Sequence, residues 1–555
     1  MEKEIKALQA GPAPLIGALC DALNIVEMVN SLVFWDERQW NLNPGLLAKA
    51  MIINILSGRT AFYKYETFFE DTDTELIFGK GVHASDFTDD ALGNTLDRIH
   101  AYGPRKLFSR IAMNGLLLEN VDLEILHGDT TSKVLYGEYS DEGSMVPLQG
   151  HSKDNRPDLK QIVIGLTTSK DGSVPVNGNV NSGNKDDKTW NNENIDQLVE
   201  LLTEEDLKKL IYITDSACVN ETFLGELTEK ELKFISLMPR TFNLQEKLVE
   251  MAWANNQWQD IGRLAKSPKS ASYKIWETRE KVNGREYRFV VVHSDQLDKR
   301  KLRGLQTRLK KQKKTLDKIC QEAVKREYAC EEDAQIALKK FLKKNQNPFY
   351  PIESSVKKET VRKKRNKPGR PKAGEKPEYK DIYRLDLKVE SLDQEAFQEE
   401  KDRQSCFVLI SNVKDPKFTT LRLLEEYKSQ SQIENKFKFI KDPLMVGPLL
   451  LEKNHRIETL GYVILLALFV YSILERRVRK ALEDEEEPIV LNGKVKSFRP
   501  TGRRIIELFS SIIVVLEYNH AEDGPEKRYI DSRYNRLNRI AKLAGFDMSI
   551  YTSPP

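Results

Sequence analysis

The stretch V-D-L-E-I-L-H-G-D, residues 121–129, decides how this chain is read. Val121, Leu123 and Ile125 alternate with polar residues, the period-two pattern of a half-buried strand, and the segment ends at Asp129. Upstream, residues 1–119 carry helical spacing, as in LLAKAMIINIL and ALGNTLDRIHAYG, with turn signals at Asn43-Pro44 and from Gly79 to Gly81. Downstream, QIVIGLTT and SVPVNGNV flank Lys170-Asp171-Gly172, which predicts a hairpin because Asp-Gly supplies the positive φ angles of a tight turn. A polar loop runs to Trp190, residues 194–210 are spaced as helix, and LIYITD brings Asp215 to the carboxyl end of another strand. FISLMP, residues 234–239, reads as a further strand. Strands, helix, strand, helix, strand is an α/β order, not a bundle.

At 555 residues the chain is too long for one hydrophobic core, which predicts two to four structural units. Residues 240–415 interrupt the α/β pattern with strand-like pieces (SYKIWETRE, EYRFVVVHS, CFVLISNV) and a long basic helical stretch from Leu297 to Lys344. Net charge is only +3, so the bulk balance of 87 Lys and Arg against 84 Asp and Glu does not itself point to nucleic acid. Its distribution does. Nine basic residues and no acidic one lie between Lys299 and Lys314, and fourteen basic face three acidic between Lys339 and Pro377. The tail of this insertion, KKETVRKKRNKPGRPKAGEKPEYK, has few apolar residues and is expected to be mobile when unbound.

Five scattered cysteines without a C-x-x-C pair argue against a disulfide framework or zinc ribbon and fit a reducing cytoplasm. The amino terminus lacks the order of a signal peptide. The most apolar window, Leu460 to Leu474, is 15 residues long where a membrane span takes roughly 20, and reads as a buried helix, so no membrane partner is expected. GNVNSGNK, residues 178–185, is one residue out of register with a phosphate-cradling G-x4-G-K-[ST] loop, and the seven histidines lack zinc-ligand spacing.

The segment TTLRLLEEYKSQSQIENKFKFIKDP starts at threonines able to cap a helix and stops at Asp442-Pro443, predicting one helix from Leu421 to Ile440. At about 100° per residue, Tyr427 and Lys441 fall roughly 20° to either side of Glu434, with Gln430 roughly 40° away. Asp129, Asp215 and Glu434 could together hold two magnesium ions, or manganese in their place, because hard cations prefer carboxylate oxygens. Two such ions, about 3.5 to 4 Å apart, serve an in-line displacement at phosphorus. The bland alternative is that a chain with 84 acidic residues leaves some at strand ends and on helices, merely solvated.

Tyr427-x2-Gln430-x3-Glu434-x6-Lys441 resembles the Y-x2-R-x3-E-x6-K signature of transposases in insertion sequence family four, with three of four positions matching. HGDTTSKVLYG around Asp129, GHSKDNRPDLKQ from Gly150 to Gln161, and YITDSACVN around Asp215 are similar to its sixteen thirty-four subgroup. The resemblance implies a ribonuclease H-like catalytic core, interrupted by a mixed β/helical insertion, with helical N-terminal and C-terminal regions. It implies Asp129, Asp215 and Glu434 as metal ligands, and Tyr427 and Lys441 as contacts to double-stranded DNA near the cut. It also implies a homodimer or higher oligomer that cleaves transposon ends and transfers them to target DNA in a bacterial cytoplasm. The departure is Gln430, where the pattern has arginine; glutamine can bond to phosphate but brings no charge.

The expected organisation is a helical DNA-binding and dimerisation domain (1–119), the first part of the catalytic core (120–240), the insertion (241–415), the last catalytic helix region (416–455) and a helical C-terminal region (456–555). Lys153, Arg156 and Lys160 either position phosphates near Asp129 or edge an ordinary solvated hairpin. Lys363, Arg365 and Arg370 lie in the basic linker, where KPGRPK resembles an AT-hook with proline for the usual arginine before Gly369; general phosphate attraction is the commoner outcome of such a run. The 297–344 stretch is either a DNA track or a solvated charged coil. Trp190, Trp253, Trp258 and Trp276 either stack on a displaced base or, as is commoner, pack as core and lid. Two other functions share these residues: a nuclease that only hydrolyses, and a retired transposase that binds without cutting.

Overall fold

The computed structural model describes residues 4–58, 60–139, 142–215, 219–239, 241–265, 267–364, 376–442, 451–518 and 525–553. Arg365, Arg370 and all of KPGRPK therefore lie outside the described residues. The chain divides into two compact units, one of Met1–Pro239, Lys281–Tyr287 and Ile410–Pro555, the other of Arg240–Glu280 and Arg288–Leu409.

The first unit opens with β1 (Glu4–Leu8), followed by α1 (Ala13–Ala22), α2 (Ile25–Leu32), α3 (Pro44–Ile53), α4 (Tyr65–Glu70), α5 (Thr74–Phe78), α6 (Asp89–Tyr102) and α7 (Pro104–Leu118). Asn43 caps α3 through its side chain with Pro44 in the first turn, and Thr88 caps α6, the local chemistry that starts helices. Next come β2 (Ile125–Val134), β3 (Gln161–Ser169), β4 (Pro175–Ser182), α8 (Asp187–Leu201), α9 (Glu204–Lys209), β5 (Ile211–Thr214), α10 (Glu221–Glu229) and β6 (Lys233–Leu237). In this unit they pair in the order β4-β3-β2-β5-β6. β2, β3 and β4 are antiparallel neighbours, whereas β2-β5 and β5-β6 run parallel.

Two details differ from the sequence reading. β2 does not end at Asp129 but continues to Val134, because antiparallel pairing with β3 persists after the parallel partner β5 has stopped at Thr214. The hairpin turn is looser than a two-residue Asp-Gly turn: positive φ falls on Gly172 (76°) and Ser173 (52°), and Ser169 N donates to Val174 O across a four-residue loop.

The second unit holds α11 (Asn243–Asn255), β7 (Gln259–Arg263), β8 (Ser272–Val282), β9 (Arg285–Ser294), α12 (Lys299–Val324), α13 (Glu331–Lys344), β10 (Ile352–Arg362), β11 (Tyr379–Val389), α14 (Gln394–Gln404) and the start of β12 (Cys406–Ser411). The basic tail expected to be mobile is partly ordered. Residues 357–362 and 379–380 belong to β10 and β11, an antiparallel hairpin in continuous register from Ile352↔Val389 to Arg362↔Tyr379. Cross-strand ion pairs such as Lys357–Asp386 and Lys358–Asp381 supply the cohesion that apolar residues do not.

Back in the first unit, α15 (Thr420–Lys428), α16 (Ser431–Lys441) and α17 (Asn454–Ala481) are followed by β13 (Ile489–Val490), β14 (Lys496–Ser497), α18 (Gly502–Phe509), β15 (Val514–Tyr518), β16 (Pro525–Ile530) and α19 (Asn538–Leu543). Neither end of the chain is purely helical, contrary to expectation: β1 pairs with β15, and β15 with β16, in a three-stranded antiparallel sheet. Short strands whose partner lies some five hundred residues away leave little periodic trace. α17 is longer than its apolar window suggested. It is one helix long and apolar enough to cross a membrane, with the bent pair α1 and α2 a second if taken together, but 94% of its apolar window is buried in the protein's own core.

Arg476 on α17 is buried and binds the Asp171 carboxylate at 2.9 and 2.6 Å and the carbonyls of Glu119 and Asn120 at 3.0 and 3.1 Å. It thereby locks the β3-β4 turn and the lead into β2 onto the core helix. Removing it strands a carboxylate and two carbonyls, so Arg476→Met is expected to cost about 3–5 kcal/mol in chemical denaturation. A loss below about 1 kcal/mol would show that the turn is held by other interactions.

Candidate active site

Gly128 precedes Asp129 and makes room for Tyr212: a Cβ there would stand 1.8 Å from Tyr212 Oη. That hydroxyl donates to Asn191 Oδ1 at 2.7 Å and accepts from Asn194 Nδ2 at 3.0 Å, fixing α8 against the sheet. Gly128 is paired with Thr214 on parallel β5, so Asp129 and Asp215 follow each other's partners on adjacent strands. Neighbouring strands lie about 4.8 Å apart, which puts the two acidic residues side by side.

Asp129 accepts from the Thr130 amide at 2.7 Å, and Lys153 Nζ stands 3.9 Å from its Oδ1. Burial pushes the Asp129 carboxyl up to about 6; Lys153 and the Thr130 amide oppose that, and the nearby charges of Asp187 and Asp215 add to it. This carboxylate is thus short of positive charge.

The predicted single helix carrying Glu434 is two. α15 ends at Lys428 and α16 begins at Ser431, joined through a tight turn in which Gln430 N bonds to Tyr427 O at 3.1 Å and Ile433 N to Gln430 O at 3.1 Å. The Ser429 hydroxyl bonds to Glu426 O at 2.6 Å and meets His127 Nε2 at 3.1 Å, and serine competing for backbone groups weakens a helix at that point. Ser429 and Gln430 keep helical-region angles (φ −67°, ψ −12° and φ −55°, ψ −25°), so the interruption between Tyr427 on α15 and Glu434 and Lys441 on α16 is only two residues long. Tyr427 nonetheless senses all three acidic residues: burial first, then the charges of Asp215, Glu434 and Asp129, hold its phenol well above the ordinary range. Glu434 itself is exposed, while Ile433, Phe437 and Ile440 on the same helix are buried.

The remaining residues singled out from sequence already have protein partners. Lys153 Nζ bonds to Thr130 O and Oγ1, both at 2.8 Å, and to Asp187 Oδ2 at 3.4 Å. Arg156 pairs with Asp158 at 2.7 Å, Lys160 Nζ donates to Tyr139 O at 2.8 Å, and Lys441 Nζ holds Asp154 Oδ1 at 2.6 Å. Lys363, in the second unit, pairs with Glu378 at 3.1 Å. Gln430 is half-buried in the turn before α16.

Trp190 is wholly buried with its indole N–H on Asn179 Oδ1 at 2.9 Å, a packing residue that Gly165 accommodates, since a Cβ there would lie 1.9 Å from Trp190 Nε1. Trp276 is buried as well, while Trp253 and Trp258 pack together with ring centroids 5.1 Å apart. The sequence reading passed over Asp187 and Lys133. Asp187 opens α8 and accepts from the Thr130 hydroxyl beside Asp129; an acidic pair, Asp186-Asp187, before a helix was its only sequence signal. Lys133 reaches from β2 to Ile440 O at 3.1 Å and secures the end of α16 to the sheet.

The three charged groups that act on Tyr427, Asp215, Glu434 and Asp129, are carboxylates, the ligand type a hard divalent cation prefers. Among the described residues, however, no three His, Cys, Asp or Glu side chains converge closely enough to hold a metal ion as they stand.

Asp129 and Asp215 follow paired residues on two adjoining parallel strands, and comparison with known proteins gives the family. The transposase DDE domain model matches residues 186–470, just over half of the chain, and the chain belongs to that family of DNA-cleaving transposases. Residues 5–113 match a domain of unknown function, DUF4277. No curated protein matches the sequence. Among solved structures, a piggyBac transposase in a synaptic complex with hairpin DNA is similar over 92% of this chain and 82% of its own, at 8% identity and a TM-score of 0.36, a likeness too slight to argue from.

The raised Asp129 carboxyl has a consequence for stability. In the unfolded chain it titrates near 3.8 and in the fold near 6, so folding favours its protonated form. Its contribution to stability is therefore full at low pH and lost as pH rises through that window. Asp129→Asn is expected to raise the melting temperature of the metal-free protein by a few degrees at pH 7.5 and to leave it nearly unchanged at pH 4. Equal effects at both pH values would refute the desolvated carboxylate.

Proposed function

We propose that this transposase cuts at the ends of an insertion sequence of family four and joins the 3′ ends to target DNA. In this reading Asp129, Asp215 and Glu434 hold two magnesium ions on a ribonuclease H-like core. The observation that carries it is Tyr427, whose phenol feels the charges of all three carboxylates at once. The strand order, three antiparallel strands continued by two parallel ones, supports the ribonuclease H-like reading. We read 241–415 as an insertion into that core and 1–119 as the region that recognises DNA ends and pairs protomers.

When bound, the ions would help deprotonate the attacking hydroxyl and offset charge on the leaving oxygen. The chain's own residues do the rest. Asp129 and Asp215, side by side on the sheet, set one wall of the site, and α16 brings Glu434 to the other. Lys153, through Thr130 and Asp187, keeps the acidic wall from repelling itself apart. Tyr427 stays protonated and can donate to a phosphate oxygen, and Lys441, released from Asp154, can meet a neighbouring phosphate. Attack by water on phosphorus breaks the P–O bond of the strand and cuts; attack by a 3′-hydroxyl breaks the same kind of bond in the target and joins.

Purified protein incubated with magnesium and labelled DNA carrying the element's own ends should give nicked and joined products. Glu434→Ala should reduce both to background while leaving DNA binding intact. Cutting without joining would favour a nuclease of this fold. Binding without either would make this a retired transposase, a reading for which Gln430 in place of arginine is the one sequence feature.

A further inference from the structure

The two basic runs of the second unit present themselves differently. In the β10-β11 hairpin several cations are answered: Lys357 by Asp386 at 2.6 Å, Lys358 by Asp381 at 2.7 Å, Lys363 by Glu378 at 3.1 Å, and Arg384 by Glu327 at 2.7 Å. Exposed pairs of this kind add little stability, but they cancel the field that a passing polyanion would feel.

On α12 the cancellation is partial: Arg308 pairs with Glu400 at 2.7 Å, but Arg308 lies to one side of a denser cationic row. Taking about 100° per residue from Arg303, six of the exposed cations, Lys299, Arg300, Arg303, Lys310, Lys311 and Lys314, occupy an arc of roughly 120°, while exposed Lys301 and Arg308 lie outside it. Leu305, Leu309, Leu316 and Cys320 cluster roughly opposite and are buried, packed with Tyr350. That apolar seam fixes the rotation of the helix, so the cationic arc faces solvent. The row extends about 22 Å along the helix axis at about 1.5 Å per residue. Beside it lies a cleft of about 760 Å³, lined by Arg303, Thr307 and Lys311 on the helix and by Asn345, Gln346 and Asn347 after α13, with no acidic residue among its lining.

We propose that this face of α12 and its cleft form a sequence-independent docking surface for the phosphate backbone of duplex DNA, and that the described strands of the β10-β11 hairpin do not. The inference rests on the transposase reading for its occupant. A straight, rigid row of cations matches a stiff duplex, whose charges recur every 1.7 Å or so along its axis, and the cleft's amide and hydroxyl groups can bond to phosphate oxygens.

The test uses the full chain, a labelled 30-base-pair duplex of arbitrary sequence, and fluorescence anisotropy across a potassium chloride series. Arg303→Ala/Lys311→Ala/Lys314→Ala is expected to weaken binding at least tenfold and to flatten the slope of log affinity against log salt by about 2 to 3, near 0.9 for each phosphate no longer neutralised. Lys357→Ala/Lys358→Ala should leave both within experimental scatter. All five positions are exposed, and a thermal melt confirms that each variant is folded. An unchanged slope in the triple variant, or an equal loss in the hairpin variant, overturns the proposal. The two readings fail separately. If the wild type joins DNA ends while the triple variant keeps its full salt slope, the α12 surface is wrong and the active site stands. If the wild type neither cuts nor joins but the triple variant loses its slope, the surface stands and the active-site reading falls.

Discussion

The burial of α17 is the constraint on which the larger unit depends. A helix apolar on nearly every side cannot face water, so the chain must supply a sheath for it. That sheath comes from segments far apart in sequence: α3, α6 and α7 before the sheet, β4 within it, α16 just upstream, and α18 and α19 after. Its few polar residues then act as fasteners. Arg476 holds the β3-β4 turn, and Glu475 binds Lys436 of α16 at 3.3 Å, Arg479 at 2.8 Å and the Gly502 amide at 2.8 Å. A buried charge left alone is costly, so each of these pairs specifies where its partner element must lie. α16 carries Glu434, so the placement of that carboxylate depends on how α16 packs against α17.

The site itself is a region of accumulated negative charge with limited compensation. Asp129 is desolvated and flanked by Asp187 and Asp215, and Lys153 offsets them only in part. His127, two residues earlier on the same strand, offers no help: burial and then the Lys170 ammonium push it down to about 4, so it is neutral at ordinary pH. Its Nε2 instead meets Ser429 at the break between α15 and α16, linking the strand that bears Asp129 to the turn that precedes Glu434.

The second unit shows how far composition can stand from electrostatic field. Both basic runs have similar charge on paper. A β-hairpin sets residues of opposite strands face to face, so acidic residues distant in sequence neutralise its lysines. A long helix with one apolar seam meets fewer such partners, Arg308 with Glu400 being one, and keeps six of its cations together on the far side.

The sequence by itself determined the alternation of strands and helices, since periodicities of two and of about three and a half follow from backbone geometry and survive in any context. It also offered Asp129, Asp215 and Glu434 as candidates, because the motifs around them are contiguous in the chain. What it could not determine were features set by partners distant in sequence. β2 runs past Asp129 because β3 continues beside it, and β1 is a strand because β15 lies next to it. The helix through Glu434 breaks at Ser429–Gln430 where Ser429 meets His127, some three hundred residues earlier. Which lysines face solvent and which are spent on carboxylates was equally beyond reach, because ion pairing depends on distances that only the packed chain defines.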